Sequence, residues 1–125
     1  MVKVKGSGNK YVFYNVSCSP GTNLPDEVWI NEVKQDKVET RYDLDKEENN
    51  IKLVWNNSVS SAHCMFYDCY DITEIDFSNF DSSQVNNIAL MLEGTASLIT
   101  LIRTVNRTSS LLRTLSSIST DMTRA

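Results

Sequence analysis

From Trp55 onward the chain repeats itself at an offset of 26 residues: Val59 falls on Val85, Ala62 on Ile88, Met65 on Met91, Phe66 on Leu92, Ile72 on Leu98 and Ile75 on Leu101. Cys64 falls on Leu90 and Cys69 on Thr95. Apolar residues answer apolar ones almost throughout. A fixed period of this length predicts a solenoid, in which each unit buries an apolar ridge against the next. No other feature of the sequence restricts the fold so strongly.

Before the repeat the pattern has a period of two, the mark of half-buried strands. The clearest run sets Val38, Thr40, Tyr42 and Leu44 on one side and Lys37, Glu39, Arg41 and Asp43 on the other. Shorter pieces repeat it: Val2 and Val4; Val12, Tyr14 and Val16; Val28 and Ile30; Ile51, Leu53 and Trp55. Breaks are expected at Gly6-Ser7-Gly8-Asn9, Ser19-Pro20-Gly21-Thr22-Asn23 and the charged run Asp45 to Asn50. Val28 to Val33 reads as a hairpin turning at Asn31-Glu32, a weak turn signal without glycine. About five short strands make a small antiparallel unit.

In the first repeat, Ile72-x-x-Ile75-x-Phe77 has the spacing of the inward strand of a leucine-rich repeat, with Phe80 where an inward Asn or Cys usually stands. The run from Met65 to Ile88, MFYDCYDITEIDFSNFDSSQVNNI, resembles the M-F-x-x-C-x-x-L-x-x-L-D-L-S-N-F-D-T-S-x-V-x-N-M repeat of BspA-like leucine-rich-repeat surface proteins, also known as the Mycoplasma-lipoprotein type. The strands before it, including Leu24 to Asn31 and Ile51 to Asn56, resemble the β-rich leader of protist versions. The resemblance implies a non-catalytic cell-surface or extracellular protein that mediates adhesion or protein–protein contact and needs no cofactor or metal. It also implies a repeat core of Met65, Phe66, Cys69, Ile72, Ile75, Phe77, Phe80, Val85 and Ile88, and a binding face of Asp76, Ser78, Asn79 and Asp81. An intracellular scaffold module binding a protein partner is the alternative.

The expected fold is therefore mainly β with some α. A β leader over 1–56 precedes about one and a half repeats over 57–102, then a tail over 103–125. In the tail, Arg103 replaces the inward Phe77, Val105-Asn106-Arg107 replaces Asn79-Phe80-Asp81, and four Arg with no Lys follow seven Lys and one Arg. So abrupt a change is what a shifted reading frame or a decayed gene end produces. A capping helix is the other reading, since Leu111, Leu112, Leu115 and Ile118 form a helical apolar stripe. With so few units, an open solenoid end predicts marginal stability or self-association.

Composition narrows the partners. Twelve basic residues against sixteen acidic ones, unclustered and netting −4, leave nothing to neutralise a phosphate backbone. The longest apolar run, Ile88 to Leu92, is far short of a membrane span, and Met1 to Lys5 lacks the apolar stretch of an export signal. His63, Cys64, Cys69 and Cys18 include only one local ligand spacing for zinc, and Cys64 and Cys69 read better as core. Adjacent on an extended chain, His63 and Cys64 are also poorly placed as base and nucleophile. Asp68, Asp71, Glu74, Asp76 and Asp81 match no calcium loop, and a turn-capping role is expected for Asp76 and Asp81. The triplets at Asn15, Asn56 and Asn106 fit the glycosylation pattern, which accident also supplies in a chain rich in Asn, Ser and Thr.

Overall fold

A computed structural model describes residues 1–14, 24–81, 83–86 and 90–102. Eight strands are present among them: β1 (Val2–Lys5), β2 (Gly8–Tyr11), β3 (Glu27–Ile30), β4 (Val33–Lys34), β5 (Arg41–Leu44), β6 (Glu48–Val54), β7 (Ile72–Asp76) and β8 (Thr100–Ile102). Six form one sheet in the order β4-β3-β6-β1-β7-β8, and β2 pairs with β5 in a second. All pairings are antiparallel except β7 with β8.

Alternation explains the central lane. Val2 and Val4 of β1 turn inward and are buried, while Lys3 and Lys5 turn out. Beside β1, Asn49 and Ile51 of β6 occupy the matching inward positions. Asn49 is 0% exposed, the one buried polar side chain among the described residues. Its Nδ2 lies 2.9 Å from Lys46 O, 3.2 Å from Gly6 O and 3.3 Å from Val4 O. Its Oδ1 accepts from Asn31 Nδ2 at 3.1 Å and Lys46 N at 3.3 Å. One amide thus joins β1, the start of β6 and the β3–β4 turn. That turn has both central residues at positive φ, Asn31 at 48° and Glu32 at 73°, the type I′ geometry that suits twisted hairpins.

Several boundaries depart from the alternation. The charged run expected to be a loop enters β6 at Glu48, because Asn49 satisfies the polar groups of the bend. The strand expected from Val38 starts at Arg41, since Tyr42 Oη accepts from Glu39 N and donates to Lys37 O, both at 2.7 Å, curling that segment back on itself. Val12 and Phe13 are fully buried but follow β2 rather than extend it. In β7, Ile72 and Ile75 are three residues apart and both inward, which a regular strand forbids; a register shift against β1 between Lys3 and Val4 absorbs the extra residue.

The repeat segment is built into the same sheet. β7 pairs with β1 on one side and with β8 on the other, Glu74 opposite Thr100 and Asp76 opposite Ile102. Before each of these two strands the chain makes the same turn: Cys64 (φ 60°) and Leu90 (φ 58°) lead, and Asp68 (φ 54°) and Gly94 (φ 81°) follow. The turns stack through Phe66 N to Met91 O at 2.9 Å and Asp68 N to Glu93 O at 2.8 Å. Gly94 cannot carry a Cβ, which would fall on the Asp68 carboxylate and 3.0 Å from Asp68 Cα.

This architecture overturns the expectation of a leucine-rich-repeat solenoid with some α. The described residues are all β and contain no helix. The strand between β6 and β7 is β1, from the opposite end of the chain, so one flank of the first repeat's apolar ridge is covered by the leader and not by another unit. Val2, Val4, Val28 and Ile51 share one buried cluster with Met65, Phe66, Ile72, Ile75, Met91 and Leu98. A single parallel pair at the edge of an antiparallel sheet is not a solenoid. The open solenoid end goes with it as a reason for self-association. Arg103, the apolar stripe from Leu111 to Ile118, and also Cys18, Val16 and Ile88, lie outside the described residues.

Two stability changes follow. Asn49→Ala strands the carbonyls of Val4, Gly6 and Lys46, and is expected to cost about 2–4 kcal/mol, read as a lower denaturant midpoint at unchanged slope. Gly94→Ala adds steric overlap to a positive φ and is expected to cost about 1–3 kcal/mol by the same measurement, whereas Gly8→Ala, with open space around it, meets only the backbone strain of its own positive φ.

Candidate functional site

A groove lies between β6 and the segment after β7, with Met1 and Val2 at one end. The β1–β6 ladder ends at Val2 opposite Ile51, while β6 runs on to Val54. Past that point β6 (Lys52 to Trp55) and the segment from Ile75 to Asp81 stand apart around a cavity of about 360 Å³. Its floor includes the buried Val59, Met65 and Phe66.

A row of aromatic rings makes one wall. Trp55 meets Phe80 edge-on at 5.6 Å between centroids, Phe80 meets Phe77 at 5.6 Å, and Phe77 meets Phe66 at 6.2 Å. These are the offset geometries aromatic pairs prefer. Phe66 and Phe77 are buried, whereas Trp55 and Phe80 are only partly covered and line the opening. Lys52 also lines the groove, but its ammonium sits 4.5 Å above the Trp29 ring on β3.

The four residues expected to form a binding face, Asp76, Ser78, Asn79 and Asp81, all line this groove, with Ser78, Asn79 and Asp81 exposed. Each aspartate caps its own turn. Asp76 Oδ1 accepts from Ser78 N at 2.8 Å; Asp81 Oδ1 accepts from Ser83 N at 3.0 Å and Ser83 Oγ at 2.6 Å. Burial pushes the Asp76 carboxyl up, but bonds from Ser78 and the nearby N-terminal ammonium outweigh it and hold the group below its ordinary value. Bonds from Ser83, and more weakly from Ser58, hold Asp81 below its ordinary value too. Both stay ionised at neutral pH.

The remaining candidates are scattered. Asp71 pairs with Lys10 at 3.1 Å, and Asp68 packs against Gly94. His63 donates its backbone N–H to Ser61 Oγ at 3.2 Å. Cys69 is buried, as expected of a core residue, but Cys64 is disulfide-bonded rather than simply packed. Of the expected repeat core, Met65, Phe66, Cys69, Ile72, Ile75, Phe77 and Val85 are buried and Phe80 is partly so. Among the described residues no three His, Cys, Asp or Glu gather as metal ligands, and no helix is long and apolar enough to cross a membrane. Reading the sequence missed the β6 side of the groove, since nothing in Lys52 to Trp55 announces that it faces the distant segment from Ile75 to Asp81 across a cavity.

No family model matches the chain, and neither does any curated protein or solved structure.

The lowered carboxyls set a pH dependence. A group whose pKa falls on folding stabilises the fold above its unfolded value, here 3.8, and loses that contribution as pH drops through the folded value. Stability is expected to fall below about pH 4, and the double variant D76N/D81N to show a shallower fall; denaturant midpoints between pH 5 and pH 2 measure both.

Proposed function

We propose that the chain is a non-catalytic protein-binding module that engages a protein partner in the groove between β6 and the segment after β7. The observation that carries this reading is the half-exposed aromatic row of Trp55 and Phe80 over an apolar floor, with carboxylates on the rim. Aromatic side chains that are already held in place bury large area on binding at little entropic cost, and so dominate contact energetics. A cavity of about 360 Å³ suits one anchoring side chain and the backbone around it.

A binding role is also supported by how the carboxylates are used. A general acid or base works best with a pKa near the operating pH. Asp76 and Asp81 are shifted the other way and hold turns. The disulfide at Cys64 supports an oxidising location, the cell surface or beyond. The resemblance of Met65 to Ile88 to the repeat of surface proteins supports the same location.

Selection from a displayed library of random peptides tests the site. Enriched peptides are expected to lose roughly tenfold or more in affinity on Phe80→Ala, a hot-spot effect, while Val33→Ala, on the exposed edge strand β4, leaves binding unchanged. Peptides equally weakened by both variants, or by neither, would remove the groove as the binding site.

A further inference from the structure

Among the described asparagines only Asn56 opens a triplet of the form Asn-x-Ser/Thr, and the fold leaves Asn56, Asn57 and Ser58 all exposed. The chain leaves β6 at Val54 and bends at Asn56 and Asn57. Main chain holds that bend, Asn56 N donating to Asp26 Oδ2 at 2.7 Å. The Asn56 side-chain amide, by contrast, enters no hydrogen bond among the described residues. Other asparagines are tied down: Asn49 gives its amide to three carbonyls, Asn31 to Asn49 and Asn9 to Asp43. A substituent on Nδ2 would break those bonds, whereas at Asn56 it breaks none. The Ser58 hydroxyl is only weakly committed, 3.4 Å from Asp81 Oδ2. The bend also decides where a substituent is rooted. Trp55 and Asn57 line the groove but Asn56 between them does not, its N–H being turned to Asp26 just ahead of β3.

We propose that Asn56 is an acceptor of N-linked glycan, an inference that rests on the surface or extracellular location proposed above. In the transfer, Asn56 Nδ2 forms a bond to C1 of the first sugar of an oligosaccharide carried on a pyrophosphoryl lipid. The bond from C1 to the phosphate oxygen breaks, the pyrophosphoryl lipid leaves with that electron pair, and Nδ2 gives up one proton to a base of the transferase. Ser58 supplies the hydroxyl that the transferase recognises at the third position of the triplet. A bulky, hydrated sugar chain is compatible only with a surface site, and the exposed bend after β6 is one. The disulfide at Cys64 belongs to the same oxidising route of export. Rooted outside the groove, the glycan marks the end of β6 that lies toward β3 as a face turned to solvent.

The test translates the full chain behind a cleavable export leader into glycosylation-competent microsomes and locates glycopeptides by mass spectrometry. Because the leader supplies the export, the result reports on the site and not on the location. Asn56 is expected to carry glycan, Ser58→Ala to lose it and Ser58→Thr to keep it. Transfer takes place on the entering chain, so the loss in Ser58→Ala does not depend on whether that variant folds. An Asn56 left bare in chains whose leader has been cleaved would overturn the proposal, as would a glycan at Asn56 that survives Ser58→Ala. The outward setting has its own readout. The purified glycosylated chain is expected to have a denaturant midpoint at least as high as that of Asn56→Gln, and a lower one would show that the fold excludes the glycan.

Discussion

The fold depends on one buried amide. Asn49 sits where β6 begins, entirely out of water, with its polar atoms shared among Val4, Gly6, Lys46 and Asn31. An unpaired group there would cost several times what a surface hydrogen bond contributes. Only one arrangement of β1, β6 and the β3–β4 turn satisfies it, so it fixes register as well as stability. Sliding β1 by one residue along β6 would detach the amide and also turn Val2 and Val4 out to solvent. Polar satisfaction and apolar burial demand the same pairing.

With β1 placed, the repeat segment has a template. β7 lies along the free edge of β1, and a bulge lets Ile72 and Ile75 both face the core. The second copy of the turn then stacks on the first, and β8 follows β7 in parallel. Local chemistry distinguishes the two copies. At the second positive-φ position one has Asp68 and the other Gly94, and the glycine is required because the aspartate of the first copy occupies the space its side chain would need. Equivalent backbone positions therefore carry different residues for a steric reason.

Legibility in the sequence tracked how local the determining interaction is. Val2, Val4, Ile51 and Leu53 betray their strands by alternation alone, and Asn31 marks its turn by tolerating positive φ. Ile72, Ile75 and Phe77 stand out as inward residues by the spacing of the repeat instead. The solenoid expectation failed because it assigned both flanks of the apolar ridge to units along the chain. One flank is covered instead by β1, whose pairing with β7 spans most of the described sequence and leaves no local trace. Asn49 was hidden for a related reason: within the run Asp45 to Asn50 it looks like solvent-facing loop, and only the convergence of distant carbonyls shows it to be core. Of the site, the polar rim could be read from Asp76, Ser78, Asn79 and Asp81, because turn-capping residues cluster in sequence. The groove itself could not, because its walls come from segments far apart in the chain.

The groove links the fold to the proposed role. Its walls come from segments far apart in the chain, Lys52 to Trp55 and Ile75 to Asp81, and its floor includes the buried Val59, Met65 and Phe66. Aromatic rings already held edge to edge offer an entering side chain apolar area at little entropic cost, while Asp76 and Asp81, fixed in place by the turns they cap, set the charge of the rim. Apolar and electrostatic constraints acting together raise selectivity without demanding large area, which suits a chain of this size to recognising a short segment rather than a broad surface.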